Sequence, residues 1–112
     1  MRIDDNKLLL KMHAEVCKAF AHPTRLAIIN SLRDQERTVT EMAEDLGVAK
    51  GNLAQHLSVL RQRQVVVTRR EGVNVYYSVV DPKIIEACEL MRSFLLNQLK
   101  DTEKLSKRVS AA

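Results

Sequence analysis

Two helical patterns meet across three residues, Gly47-Val48-Ala49, and that joint limits the fold more than any other feature of the chain. Before it, Thr40 is placed to cap a short helix ending at Leu46. Gly47 supplies the positive φ that stops this helix, and Val48 is the apolar residue of the turn. After it, a helix from about Lys50 to Arg63 carries Leu53, Leu57 and Leu60 at i, i+4 and i+7, which puts them on one inward face. Two such helices joined by so short a turn make a helix-turn-helix.

The rest of the chain is patterned around that unit. Asp4 or Asp5 can cap a first helix running to about Phe20, with Leu9, Leu10, His13, Val16, Cys17 and Phe20 as its stripe. Pro23 suits the first position of a second helix through Leu32 or Arg33, and Arg37-Thr38-Val39 links it onward. Beyond Arg63, the β-branched run Val65–Arg70 reads as a strand, Glu71-Gly72 with Val73-Asn74 as a turn, and Val75–Val80 as the returning strand. This hairpin is a wing. Asp81-Pro82 opens a last helix to about Lys104, with Ile84, Cys88, Met91, Leu95 and Leu99 as its stripe. At 1.5 Å per residue that helix is roughly 33–36 Å long, too long to bury its stripe on so small a monomer. The two ends, 1–22 and 82–107, are therefore expected to pack together and against the same pair in a second copy. The expected architecture is one domain over 1–112, mostly α with a two-stranded hairpin, the helix-turn-helix at 40–63 and the wing at 65–80.

Hydrophobic residues make up 46% of the 112-residue chain, which fits one globular domain with a modest core. No window approaches about 18 consecutive apolar residues. The start Met1-Arg2-Ile3-Asp4-Asp5 has no apolar signal region, so a cytoplasmic protein with no membrane partner is expected. Cys17 and Cys88 lack CxxC spacing and are too few for a disulfide framework; in a reducing compartment they begin as free thiols.

The net charge of +4 is unevenly spread. Residues 49–70 hold Lys50, Arg61, Arg63, Arg69 and Arg70 and no acid, while the remainder holds 13 basic against 14 acidic side chains. That is the electrostatic footprint of a phosphate-binding surface rather than of an ordinary solvated helix face. There is no glycine-rich phosphate loop, nucleophile elbow or carboxylate pair in a pocket-forming context, so no enzyme is expected. The competing class is a winged-helix module for protein interaction, which predicts no such charge bias.

Three strings carry a family likeness. Lys18-Ala19-Phe20-Ala21-His22-Pro23-Thr24-Arg25-Leu26, then Gln55-His56-Leu57-Ser58-Val59-Leu60-Arg61, then Thr68-Arg69-Arg70-Glu71-Gly72 with Tyr76-Tyr77, are in order and at fitting spacing. They resemble the second-helix start, the recognition-helix core and the wing of the ArsR/SmtB family of bacterial repressors, and they cover about residues 15–81. The resemblance implies a winged helix-turn-helix, a homodimer, and double-stranded DNA with a palindromic operator as partner. One junction departs from the family. Gly usually follows the recognition helix, whereas here the segment is Gln62-Arg63-Gln64-Val65, so Gln64 or a neighbour must take the helix-ending conformation.

On that fold, Lys50, Asn52 and Gln55 are expected to face base edges in the major groove, with Ala49 and Gly51 allowing close approach. His56 follows on the same side, and two readings stay open for it: a DNA contact, or a buried, hydrogen-bonded histidine. Arg61 and Arg63, at the far end of the helix, suit phosphates. Arg69 and Arg70 are expected to enter or straddle the adjacent minor groove. Of Tyr76 and Tyr77, one is expected in the core and the other near the DNA backbone.

The resemblance also implies a sensor, because the family couples DNA binding to metal, metalloid or thiol chemistry. The positions matching its best-known sites are unsuited here. Thr38 and Thr40 stand in place of two metalloid-binding cysteines, and Lys83, Phe94 and Asn97 accompany Asp81 where a zinc site needs ligands. Cys17 and Cys88 remain. The leading expectation is a thiol-oxidation or persulfide switch, provided the two come within disulfide reach. The alternatives are a soft metal or arsenite held by His13, Cys17 and Cys88, and an effector-independent regulator whose cysteines are small core hydrophobes.

Overall fold

The computed structural model describes residues 2–100 and 109. A 3₁₀ turn, Asp4–Asn6, leads into α1 (Lys7–Phe20). Neither Asp4 nor Asp5 caps α1; the aspartates are spent inside the 3₁₀ turn, and Asn6 takes the cap position without a side-chain bond. Helix α2 (Pro23–Ser31) starts on Pro23 as expected, and its cap is His22, whose Nδ1 accepts the Thr24 N–H at 3.1 Å.

Helix α3 (Val39–Leu46) begins earlier than the sequence suggested, because Thr38 and not Thr40 is its cap. The Thr38 hydroxyl accepts the Glu41 N–H while the Glu41 carboxylate accepts the Thr38 N–H. Only Thr38 has a glutamate three residues on; Thr40 has Ala43 there, which cannot complete the box. Gly47 closes α3 at φ 65°, and α4 (Lys50–Gln62) follows.

The missing glycine after α4 has the expected consequence: Gln64 takes φ 59°. The Gln64 N–H donates to the Arg61 carbonyl and the Val65 N–H to the Leu60 carbonyl, at 3.0 and 2.9 Å. This is a Schellman ending with a non-glycine in the left-handed position. Strands β1 (Val66–Glu71) and β2 (Asn74–Val79) then pair antiparallel, with Arg69 opposite Tyr76 and Thr68 opposite Tyr77. Pairing extends to Glu71–Asn74, so the turn is only Gly72-Val73. Reciprocal backbone bonds between Arg37 and Tyr77 pin β2 to the α2–α3 link, a tether that strand periodicity does not reveal. Helix α5 (Pro82–Lys100) starts as expected, with Asp81 Oδ1 accepting the Lys83 N–H at 2.9 Å. Its expected continuation to Lys104 lies outside the described residues.

The fully buried residues are Ala19, Ile28, Ile29, Leu32, Met42, Leu53, Leu57, Leu60, Val65 and Val66. They come from α1 to α4 and the base of the wing, so the core belongs to the helix-turn-helix and holds it rigid. Helix α5 contributes no fully buried residue; Ile84, Ile85 and Cys88 pack only partly against the core. Leu8 on α1 and Leu90 on α5 are 72% and 73% exposed. No described helix is long and apolar enough to cross a membrane.

Candidate nucleic-acid interface

The buried ridge Leu53, Leu57 and Leu60 fixes how α4 faces the solvent. The opposite side of a 3.6-residue helix carries Gly51, Ala54, Gln55, Ser58 and Gln62, all exposed. Asn52 flanks this face on the first turn and is exposed; Lys50, seven residues before the buried Leu57, is exposed at the start of the helix rather than on this face. The outer face thus carries Gln55 with Asn52 at its edge, and it adds Ser58 and Gln62, to which the sequence analysis gave no role. Their signal was present: they stand three and seven residues after Gln55, on the same face. Nothing acidic lies on α4, whereas α3 exposes Glu41, Glu44 and Asp45.

The basic residues divide into two groups. Among the described residues, Lys50, Arg61 and Arg70 make no ion pair. Arg63 is bound 2.9 Å from Glu15 of α1. That glutamate is held below the usual carboxylate range by Lys18 first and Arg63 after it. Arg69 donates through Nε and Nη2 to Glu36 and through Nη1 to Glu71, and its guanidinium lies 4.8 Å from the centre of the Tyr76 ring. These bonds push Arg69 further up and hold the Glu36 carboxyl down. Arg63, expected on phosphates, and Arg69, expected at the minor groove, are both engaged within the protein. Tyr77 packs on the core, and Tyr76 lies beneath Arg69.

His56 is half-buried, against the picture of a side chain reaching a base. Its Nδ1 lies 3.3 Å from Arg25 Nη1, and its ring centre 4.3 Å from that of His22. Burial foremost, then the neighbouring His22 and Arg25, lower its pKa from the ordinary histidine value.

Away from this surface, Cys17 is exposed and Cys88 half-buried, both reduced. They line one apolar cavity of about 1010 Å³ between α1, α2 and α5, together with His13, Phe20, Met91 and Leu95. Burial pushes the Cys88 thiol up. Among the described residues no three His, Cys, Asp or Glu side chains are placed to hold a metal ion. His13, Cys17 and Cys88 of one chain therefore do not form the metal or metalloid trio that the sequence allowed. His13 and Cys17 stand on α1 and Cys88 on α5, and the apolar cavity they line lies between those helices.

Residues 22–66, from the α2 cap to the first residue of the wing, match the family model for the bacterial regulatory proteins of the arsR family. The regulator Rv0081 of Mycobacterium tuberculosis, a helix-turn-helix transcriptional regulator, is 38% identical over 98 residues, 87% of this chain and 86% of that one. The chain belongs to the ArsR family of bacterial regulatory proteins. The crystal structure of Rv0081 superposes on this ArsR-family chain with a TM-score of 0.75, covering 84% of it and 95% of the other. The solution structure of the homodimeric winged helix-turn-helix domain of Mb0332 from Mycobacterium bovis gives 0.79 at 28% identity, covering 89% and 93%. The transcriptional repressor PagR of Bacillus anthracis is 36% identical over 76 residues, 67% of this chain and 76% of that one. The relatives are transcriptional regulators rather than enzymes, and this ArsR-family protein is a DNA-binding transcription regulator with a winged helix-turn-helix fold.

Proposed function

We propose that the protein is a homodimeric repressor that reads a two-fold symmetric operator, with α4 in the major groove and the wing over the adjacent minor groove. The observation that carries this reading is the acid-free outer face of α4, set rigidly opposite a leucine ridge with no solvent exposure to speak of. Asn52 and Gln55 suit adenine edges and Lys50 suits guanine. Arg61 and Arg70, without partners among the described residues, suit phosphates. The homodimer of Mb0332 and the exposed apolar faces of α1 and α5 support two such heads in one molecule.

Release is assigned to thiol oxidation at Cys17 and Cys88, which line one cavity from α1 and α5. The exposed Cys17 is the thiol an oxidant meets first; the half-buried Cys88, its pKa raised, is the poorer thiolate and resolves the intermediate. With a hydroperoxide as oxidant, the two thiols lose two electrons and two protons, and the peroxide O–O bond breaks to leave water and an alcohol. The sulfur–sulfur bond joins α1 to α5 and shifts the spacing of the two heads.

The test is a pair of substitutions on a duplex that the protein itself selects from random sequence. Gln55→Ala is expected to relax preference at one base pair per half-site, by about 1–3 kcal/mol of discrimination. Arg70→Ala is expected to weaken all sequences alike. Wild-type affinity in both variants would rule out this assignment of the interface.

A further inference from the structure

Arg25 sits where α1, α2 and α4 meet. Its Nε donates to the Ala19 carbonyl at 2.6 Å and its Nη2 to the Lys18 carbonyl at 3.4 Å, both in the last turn of α1. Its Nη1 faces Nδ1 of His56, in the middle of α4, at 3.3 Å. A guanidinium has no acceptor, so His56 Nδ1 holds a lone pair and the ring proton sits on Nε2. Beside it, His22 spends its own Nδ1 lone pair on the Thr24 N–H, which can only donate. The two imidazoles, 4.3 Å apart, are thus both in a state that protonation destroys.

We propose that Arg25 is a positioning residue for DNA reading: it latches α4 to the end of α1 through His56, with His22 as a second acid-sensitive member of the latch. The proposal rests on the reading of α4 as the helix that meets DNA. Neither partner lies on the outer face of α4, so the latch acts on where that face points. An imidazolium carries hydrogen on both nitrogens. Protonating His56 therefore turns the Arg25 contact into two facing donors of like charge, and protonating His22 removes the cap of α2. The groups that bear on the charge of His56 are His22 and Arg25, with no carboxylate among them. Acid can only open the latch.

The sign of the pH dependence separates this role from direct contact. A histidine touching phosphate binds DNA more tightly once protonated. A latch histidine does the reverse, although added positive charge favours non-specific binding to any duplex. The experiment measures affinity for the self-selected duplex, and for an unrelated duplex, from about pH 7.5 down to about 5.5, spanning the histidine range. Specific affinity of the wild type is expected to fall about tenfold or more, as for loss of one charge-assisted hydrogen bond. Unrelated-duplex affinity should hold or rise. H56Q, whose amide oxygen still accepts from Arg25 but does not titrate, should keep most of the affinity at neutral pH and flatten the profile. R25A should be weak throughout. Specific affinity that rises or stays level in acid, or an H56Q profile parallel to the wild type, overturns the proposal.

Failure of the wild type to bind any duplex at neutral pH would count against the DNA-reading assignment instead. The latch is then judged without DNA, from imidazole ¹⁵N shifts in the intact protein. An unprotonated, hydrogen-bonded His56 Nδ1 is expected, and a protonated Nδ1 at neutral pH contradicts it.

Discussion

Single residues decide where helices begin and end here, and two of them make measurable claims. Gln64 holds a left-handed conformation that costs an L-residue about 1–2 kcal/mol. Gln64→Gly should therefore raise stability by about 1 kcal/mol, read as a higher denaturant midpoint with an unchanged m-value. Thr38→Ala removes one half of the α3 capping box and should cost about 1 kcal/mol by the same measurement, whereas Thr40→Ala should cost far less. The first of these sites was legible in the sequence, because a helix that must stop without glycine forces a neighbour into the strained well. The second was legible and missed: Thr38 and Glu41 spell a capping box, and choosing between two threonines required looking three residues ahead. His56 was not decidable from sequence, since its partners Arg25 and His22 stand over thirty positions away and meet it only through packing. Its lowered pKa carries a stability consequence with a definite sign. The unfolded chain takes up the proton first, so stability is full above about pH 6.5, the ordinary histidine value, and declines as pH falls below it. Thermal unfolding across that range, compared with H56Q, reads the difference.

At the scale of elements, the wing is strapped to the body twice, through the Arg37–Tyr77 backbone bridge and through Arg69 to Glu36. The second strap competes with phosphate for the same guanidinium. Glu36→Gln should release Arg69, tighten DNA binding several-fold, and steepen the slope of log affinity against log salt by about 0.9 if one more phosphate is neutralised. An unchanged slope would mean that Arg69 stays on Glu71 and Tyr76 and acts only to stiffen the wing. The charge bias over residues 49–70 singles out the stretch proposed to meet DNA, but it cannot tell engaged arginines from available ones. Glu15 and Glu36 lie in other elements, and only the fold brings them to Arg63 and Arg69. The helix-turn-helix and the inward ridge of α4 were legible because both rest on short-range periodicity. The outer face of α4 follows from that ridge by geometry alone, and Ser58 and Gln62 belong to it.

For the whole molecule, the division of labour is between a core-bearing half and an apolar half that a single chain leaves open. Met91, Phe94 and Leu95 of α5 and Leu8, Leu9 and Met12 of α1 stay exposed, and Met91 and Leu95 line the cavity of about 1010 Å³. A surface of that kind calls for a partner, and a second copy sets the distance between two reading heads. Phe94→Glu, placed in that face, should shift sedimentation from dimer to monomer and take operator affinity with it while leaving the helix content intact. The proposed thiol switch and the Arg25 latch would both bear on α1, which carries Cys17 and whose last turn accepts from Arg25. The most direct measurement of the central claim is selection of duplexes from a random pool by the wild-type protein, followed by the same selection with the Asn52→Ala, Gln55→Ala double variant. A two-fold symmetric sequence with half-sites about 10–10.5 base pairs apart, or a multiple of that, is expected in the wild-type pool, and loss of its defining bases in the variant pool. An unenriched wild-type pool, or the same sequence recovered by both proteins, would contradict the claim.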